Sequence, residues 1–187
     1  MKMSGSETIA APRAAVWAGL NDPAVLKQCI PGCDSITKDS PTSMTARASI
    51  KLGPVKASFT GKVTLSDLKP PESYRISGQG QGGLAGFASG SAAVRLTAVS
   101  ADETQLDYDV DAQVGGKLAM LGSRLIGATA QSLAKQFFTK FANAVKAQVA
   151  AAPKPAVSAA KKAAAKRPAK KSTAKAPAKK VAKKKKR

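Results

Sequence analysis

The apolar positions along the chain change period twice. "ETIAAPRAAVWAGL" reads as a short strand, then Pro12 at a first helical position, then a short helix carrying Val16, Trp17 and Leu20. Asp22-Pro23 repeats the device, Asp22 as cap and Pro23 as first helical residue of a second helix through about Gln28. "SMTARASIKLGPVKASFTGKVTLSDL" then alternates at period two. Met44, Ala46, Ala48, Ile50 and Leu52 share one face; Thr45, Arg47, Ser49 and Lys51 share the other. Gly53-Pro54 marks the reversal, and Val55, Ala57, Phe59, Gly61, Val63 and Leu65 point inward on the return, an antiparallel pair with one wet face. Three more strands follow, at about Ser73 to Gln81, Phe87 to Val99 and Thr104 to Val114, with Asp102-Glu103 at the last reversal. From Lys117 the period lengthens: Leu118, Leu121, Leu125, Thr129, Leu133, Phe137, Phe141, Val145 and Val149 follow i+3 and i+4 spacing. This predicts one helix of about 32 residues and about 48 Å, long enough to cross a whole curved sheet, with Leu125 and Phe137 toward the sheet and Lys135 and Lys140 toward water. The class is α+β.

Charge divides the chain of 187 residues in two. Residues 1 to 150 carry 16 Lys and Arg against 11 Asp and Glu, whereas residues 151 to 187 carry 15 basic residues and no acid. The first part is long enough for one core. The second is almost wholly Lys, Ala and Pro and is expected to be disordered alone. Its densest charges are Lys161, Lys162, Lys166, Arg167, Lys170 and Lys171, then Lys179, Lys180, Lys183, Lys184, Lys185, Lys186 and Arg187. They suit a polyanion, either the phosphates of DNA or RNA, as in histone-like tails, or an anionic membrane. The N-terminal "MKMSGSETIA" has no apolar core of a secretory signal, and no apolar run reaches the roughly 20 residues of a membrane span. A cytoplasmic setting is expected, with any membrane contact peripheral.

The chain has no histidine, and its two cysteines stand in "VLKQCIPGC". Cys29 and Cys33 supply only two of the four ligands of a structural zinc, and no Ser-His-Asp arrangement can be built. Pro31-Gly32 fits the centre of a type II turn that ends the second helix and starts the next strand, with a cysteine at each element end. A partner contact or thiols beside a ligand are the functional alternatives. "GQGQGG" satisfies G-x-G-x-x-G through Gly78, Gly80 and Gly83, but it joins two strands, whereas a dinucleotide fingerprint must open a helix. With Ala88, Gly90 and Ala92, Gly78 and Gly80 instead leave the inner face of the sheet almost bare. Either the helix approaches closely or a cavity opens. Asp107, Asp109 and Asp111 share one strand face opposite Leu106, Tyr108 and Val110, which reads as a solvated face compensated by Arg95 or Arg75 rather than a cation site.

The order of elements, with "AAPRAAVWAGLNDPAVLKQCIPGC" in front and "GQGQGGLAGFASGSAAVRLT" later, resembles the helix-grip superfamily of START lipid-transfer, Bet v 1-like and polyketide cyclase-like proteins. More specifically it resembles the G-subunit family of carbon monoxide dehydrogenase over about residues 3 to 148. The resemblance implies a curved antiparallel sheet wrapped around the long C-terminal helix. It also implies an accessory role without catalytic residues, beside a molybdenum hydroxylase of the carbon monoxide dehydrogenase type at the cytoplasmic membrane. It favours the cavity, for which Trp17, Ile50, Phe59, Val63, Tyr74 and Ile76 are candidate walls, together with Tyr108, Leu118, Leu121 and Leu125. Phe87, between Gly86 and Gly90, is a candidate for the mouth. The expected ligand is apolar, an isoprenoid quinone or similarly shaped lipid, with Tyr74 or Tyr108 donating a hydrogen bond to a carbonyl. No metal and no covalently bound cofactor is expected. A domain held on nucleic acid by its tail, and a cyclase-like enzyme, are the alternatives.

Overall fold

Proline and aspartate set the two short helices. In the computed structural model, which describes residues 1–52 and 55–151, α1 (Arg13–Leu20) follows Pro12, which occupies the N-cap position one residue before the helix. Asp22 caps α2 (Pro23–Cys29): its Oδ1 accepts from the Ala24 amide at 2.8 Å, and Pro23 takes the first helical position. The Pro31-Gly32 turn forms as expected. Gly32 has φ +73°, the Cys33 amide donates to the Ile30 carbonyl, Cys29 ends α2 and Cys33 opens the next strand. The reversal assigned to Gly53-Pro54, the side chains of Leu52 and Val55, and the basic extension from Lys161 to Arg187 lie outside the described residues.

Among the described residues seven strands form one antiparallel sheet. They are β1 (Lys2–Ile9), β2 (Cys33–Ser40), β3 (Ser43–Leu52), β4 (Val55–Lys69), β5 (Ser73–Gln81), β6 (Phe87–Ser100) and β7 (Glu103–Gly115), in the order β1-β7-β6-β5-β4-β3-β2. Alternation places the expected residues inward: Met44 faces Val63 and Ala46 faces Gly61, while Tyr74 faces Val94 and Val94 faces Tyr108. β2 does not alternate, because its register shifts between Cys33 and Ser35 and again between Lys38 and Ser40. Each irregularity resets which face the next side chain takes.

The inward glycines serve curvature. A Cβ on Gly61 would lie 2.7 Å from the Gln79 carbonyl oxygen, and one on Gly90 would lie 2.7 Å from that of Asp111. Neighbouring strands in a flat sheet run about 4.8 Å apart, so such proximity means that the sheet folds sharply toward its inner face. The nearest atoms at Gly61, Gly78, Gly80 and Gly90 belong to adjacent strands, not to the long helix. Close helix approach is therefore not what these glycines permit.

That helix, α3 (Ser123–Ala151), has 29 residues, about 44 Å, and starts later than the spacing predicts. Residues Gly116–Leu121 form a 3-10 turn, and Gly122, with φ +80°, separates it from α3. The three-residue interval between Leu118 and Leu121 suits a 3-10 turn equally well. The last part of α3 packs on α1 and α2, where Phe141 and Val145 are completely buried with Ile9, Val16 and Cys29.

Candidate functional site

Between α3 and the concave sheet lies a cavity of about 440 Å³. The sheet contributes Ala46, Ile50 and Val63 from β3 and β4, Tyr74, Ile76 and Ala92 from β5 and β6, and Val110 from β7. α3 contributes Leu133, Phe137 and Phe138, and α2 with its following turn closes the side through Leu26, Ile30 and Pro31. The cavity exists because the helix side is bulky while the sheet side is small where it curves most, at Ala46 and Ala92. No lining residue carries a carboxylate, amine or thiol. The lining is aliphatic, aromatic or thioether except for two phenol hydroxyls.

Those hydroxyls belong to Tyr74 and Tyr108. Tyr74 is 4 % exposed, and its ring meets Trp17 edge-on at 5.3 Å. Burial holds its pKa well above the usual phenol value. Tyr108 stacks on Phe138 at 5.0 Å and lies across Gly5 on the paired strand, where a Cβ would collide with the ring. Its pKa is raised by burial and, less, by Glu7. Both are neutral donors near pH 7. Neither hydroxyl donates to another group among the described residues, yet neither is sealed from solvent: the enclosed side-chain oxygen without a partner there is that of Ser43. Tyr108 and Met3 also border a polar cleft of about 290 Å³ holding Glu7, Gln131 and Lys135, so the cavity wall is one side chain thick there.

Ile50, Val63, Tyr74, Ile76 and Tyr108 stand together in the cavity wall; the other six candidates do not. Trp17 lies behind Tyr74. Phe59 is inward in register but sits beneath the β5–β6 turn, its ring within 2.6 Å of where a Cβ on Gly82 would be. Phe87 falls out of step with inward Ala88 and Ala92, faces outward and is 44 % exposed. Leu118 is buried beneath the 3-10 turn and Leu121 ends it, while Leu125 lies in the first turn of α3, two turns before Leu133. The late start of α3 accounts for all three. Leu133 and Phe137 belong to the helix stripe, but spacing alone does not single them out from it. Leu26 and Ile30 carry no comparable signal, because seven residues of helix give no readable period.

The remaining polar groups stand outside the cavity wall. Burial raises the pKa of both thiols, for Cys33 with added help from Asp34, which makes them weak nucleophiles. Arg95 faces Asp107 across the strands, Arg75 reaches Asp67 at 3.5 Å, and hydrogen bonds from Gln105 and Ser6 hold the Asp107 carboxyl below its usual range. Among the described residues no three carboxylates or thiols converge as metal ligands.

A long helix gripped by a curved antiparallel sheet, with two short helices after the first strand and an apolar interior, defines the helix-grip class. The family model described as the G subunit of carbon monoxide dehydrogenase (CoxG) matches residues 5–146, and the chain belongs to that family, within the START and polyketide cyclase-like superfamily. It is similar to a conserved protein of Geobacillus kaustophilus of solved structure, with 32 % identity over 79 % of this chain and 97 % of that one and a TM-score of 0.74. The fold is shared by the ZhuI aromatase/cyclase of Streptomyces sp. R1128 (15 % identity, 80 % and 95 % covered, TM-score 0.58). It is also shared by a START superfamily protein of Mycobacterium smegmatis (16 % identity, 76 % and 98 % covered, TM-score 0.56). No curated protein sequence matches the chain. The family name implies association with carbon monoxide dehydrogenase. Among the described residues no helix is long and apolar enough to cross a membrane.

Proposed function

We propose that this chain is a non-catalytic accessory protein that carries an apolar ligand, an isoprenoid quinone or a lipid of similar shape, between the cytoplasmic membrane and a molybdenum hydroxylase of the carbon monoxide dehydrogenase type. One observation carries the reading: an apolar cavity whose only hydroxyls, on Tyr74 and Tyr108, are without partners among the described residues. About 440 Å³ is within the range of small-molecule sites, roughly 300–1,000 Å³. That volume suits a ring and the first part of a tail. A carbonyl on the ring accepts from either phenol at the cavity wall, while Ile76, Ala92 and Phe137 meet its apolar carbons. The 15 cations after residue 150 add attraction to an anionic leaflet, about 1 kcal/mol for each that engages.

Native mass spectrometry and organic extraction of the purified full chain test this. Quinone or lipid at near one-to-one stoichiometry, lost when Ala92→Trp fills the cavity while the fold persists, is the expected result. A ligand-free protein that also fails to bind added quinone in titration overturns it.

A further inference from the structure

Two connections meet at one end of the sheet, Gly83–Ala85 between β5 and β6 and Gly116–Leu121 between β7 and α3. They cross at glycines. A Cβ on Gly116 would lie 2.6 Å from the Gly86 Cα, and both residues have positive φ, +72° and +116°. Neither position tolerates a side chain, so the loops lock back to back and the residues beside the crossing project outward. Leu84 is 88 % exposed, Met120 84 % and Phe87 44 %. Loops usually carry Asn, Asp, Ser or Pro at such places, yet Gly82 to Ala88 contains no polar side chain and Val114 to Gly122 contains only Lys117. The reversals at the opposite end, around Pro41, Pro71 and Asp102, are polar and hold Asp39, Glu72 and Glu103.

Charge follows the same axis. Lys51 and Lys56 end β3 and begin β4 at the apolar end, Lys117 lies in the second loop and Arg124 in the first turn of α3; all four are exposed. Two carboxylates on the sheet have partners of their own: Asp34 accepts from the Ser49 hydroxyl at 2.9 Å, and Asp111 stands opposite Lys2. Two of the cations sit against local preference. Lys51 is directly across from Lys56, a repulsive cross-strand pair. Arg124 lies at the positive end of a helix whose first turn has no acid. A polyanionic surface over this end relieves both.

We propose that this end is a membrane-docking tip, with Leu84, Met120 and Phe87 entering the interfacial layer of an anionic bilayer and Lys51, Lys56, Lys117 and Arg124 lying at the phosphates. A fluid bilayer closes around separate protruding side chains, whereas a rigid protein face would need a fitted pocket for each. The inference rests on the membrane traffic proposed above and names the surface that meets the bilayer; it uses no residue of the basic extension and does not depend on what the cavity holds, so a ligand-free cavity leaves it standing.

The full chain is titrated with vesicles of phosphatidylcholine and phosphatidylglycerol at fixed salt. Because the side chains removed are exposed, Leu84→Ser with Met120→Ser keeps the fold and lowers vesicle partitioning about tenfold or more, while Val99→Ser, exposed at the other end, leaves it unchanged. As a second measurement, Met120→Trp emission shifts to the blue and is quenched by lipids brominated at shallow acyl positions; Val99→Trp shows neither effect. Trp17, packed on Tyr74, supplies a constant background. Partitioning of the double variant equal to that of the unmodified chain, with no shift at position 120, overturns the tip even if the extension holds the chain on vesicles. Failure of the full chain to bind vesicles overturns it as well. A shift that comes only with added molybdenum hydroxylase makes the end a protein interface and overturns the proposal.

Discussion

One face of α3 does two different things within three turns. At Phe141 and Val145 it is solid: both are completely buried, and a Cβ on Gly19 of α1 would stand 2.9 Å from the Val145 Cγ2. At Leu133 and Phe137 the same stripe is hollow, its side chains half buried over the cavity. The i, i+4 spacing is unbroken between them. The opposing surface makes the difference. Two short helices can slide inward until they touch α3, and glycine at position 19 lets α1 do so. A sheet pinned by its hydrogen-bond ladders, and bent at Gly61 and Gly90, stands off by a distance set by its curvature. Amphipathic periodicity thus fixes which side of a helix is inside but not whether that inside is full.

The strongest way to break the comparison is at its solid end. Phe141→Ala should cost about 3 to 5 kcal/mol in chemical unfolding, since loss of a fully enclosed ring leaves a cavity that the surrounding side chains refill only in part. Gly19→Val adds volume at the same contact and should cost about 3 kcal/mol, the upper end of overpacking, because α1 must retreat from α3. Phe137→Ala tests the hollow region. Its ring touches Phe141 and Phe138 on one side and empty volume on the other, so the loss should be smaller, on the order of 2 kcal/mol. A cost for Phe137→Ala as large as that for Phe141→Ala would show that the two regions are equally packed.

The same contrast explains what is legible in the sequence. Alternation on β3 to β7 has few irregularities, so inward parity locates Ile50, Val63, Tyr74, Ile76 and Tyr108 correctly in the sheet. The two register shifts of β2 erase its alternation, which is why that strand has no readable limits. Leu118 and Leu121 keep step with α3 although Gly116 and Gly122 detach them from it; weighing those glycines as breakers moves the helix start to Ser123. Phe59 and Phe87 show the limit of reasoning by size. Large aromatic residues near bare glycines suggest a wall and a mouth, but one ring fills space beneath a turn and the other points outward. The small inward residues leave two alternatives, close helix approach or a cavity. Their contacts instead show strand curvature, and the cavity follows from it indirectly.

The smallest expected effect is the most specific to the hollow region. Tyr74→Phe removes a hydroxyl with no partner among the described residues, so below about pH 9 stability should change by no more than about 0.5 kcal/mol. Above that pH the two proteins should diverge. In the unfolded chain Tyr74 ionises near its ordinary value of 10.0, whereas burial raises the folded value. Between the two, the unfolded state releases a proton that the folded state keeps. The Tyr74 contribution is therefore fully present below about pH 10 and is lost as pH rises toward the folded value, at up to about 1.4 kcal/mol per pH unit. Urea unfolding of both proteins from pH 8 to 11 measures it, with the Tyr74→Phe variant expected to show the shallower decline. Equal slopes would mean that the Tyr74 hydroxyl already meets water in the folded state and that the cavity is wet at that point. A shallower decline that vanishes when quinone or lipid is extracted would instead show that the bound molecule, rather than the protein alone, keeps the phenol dry.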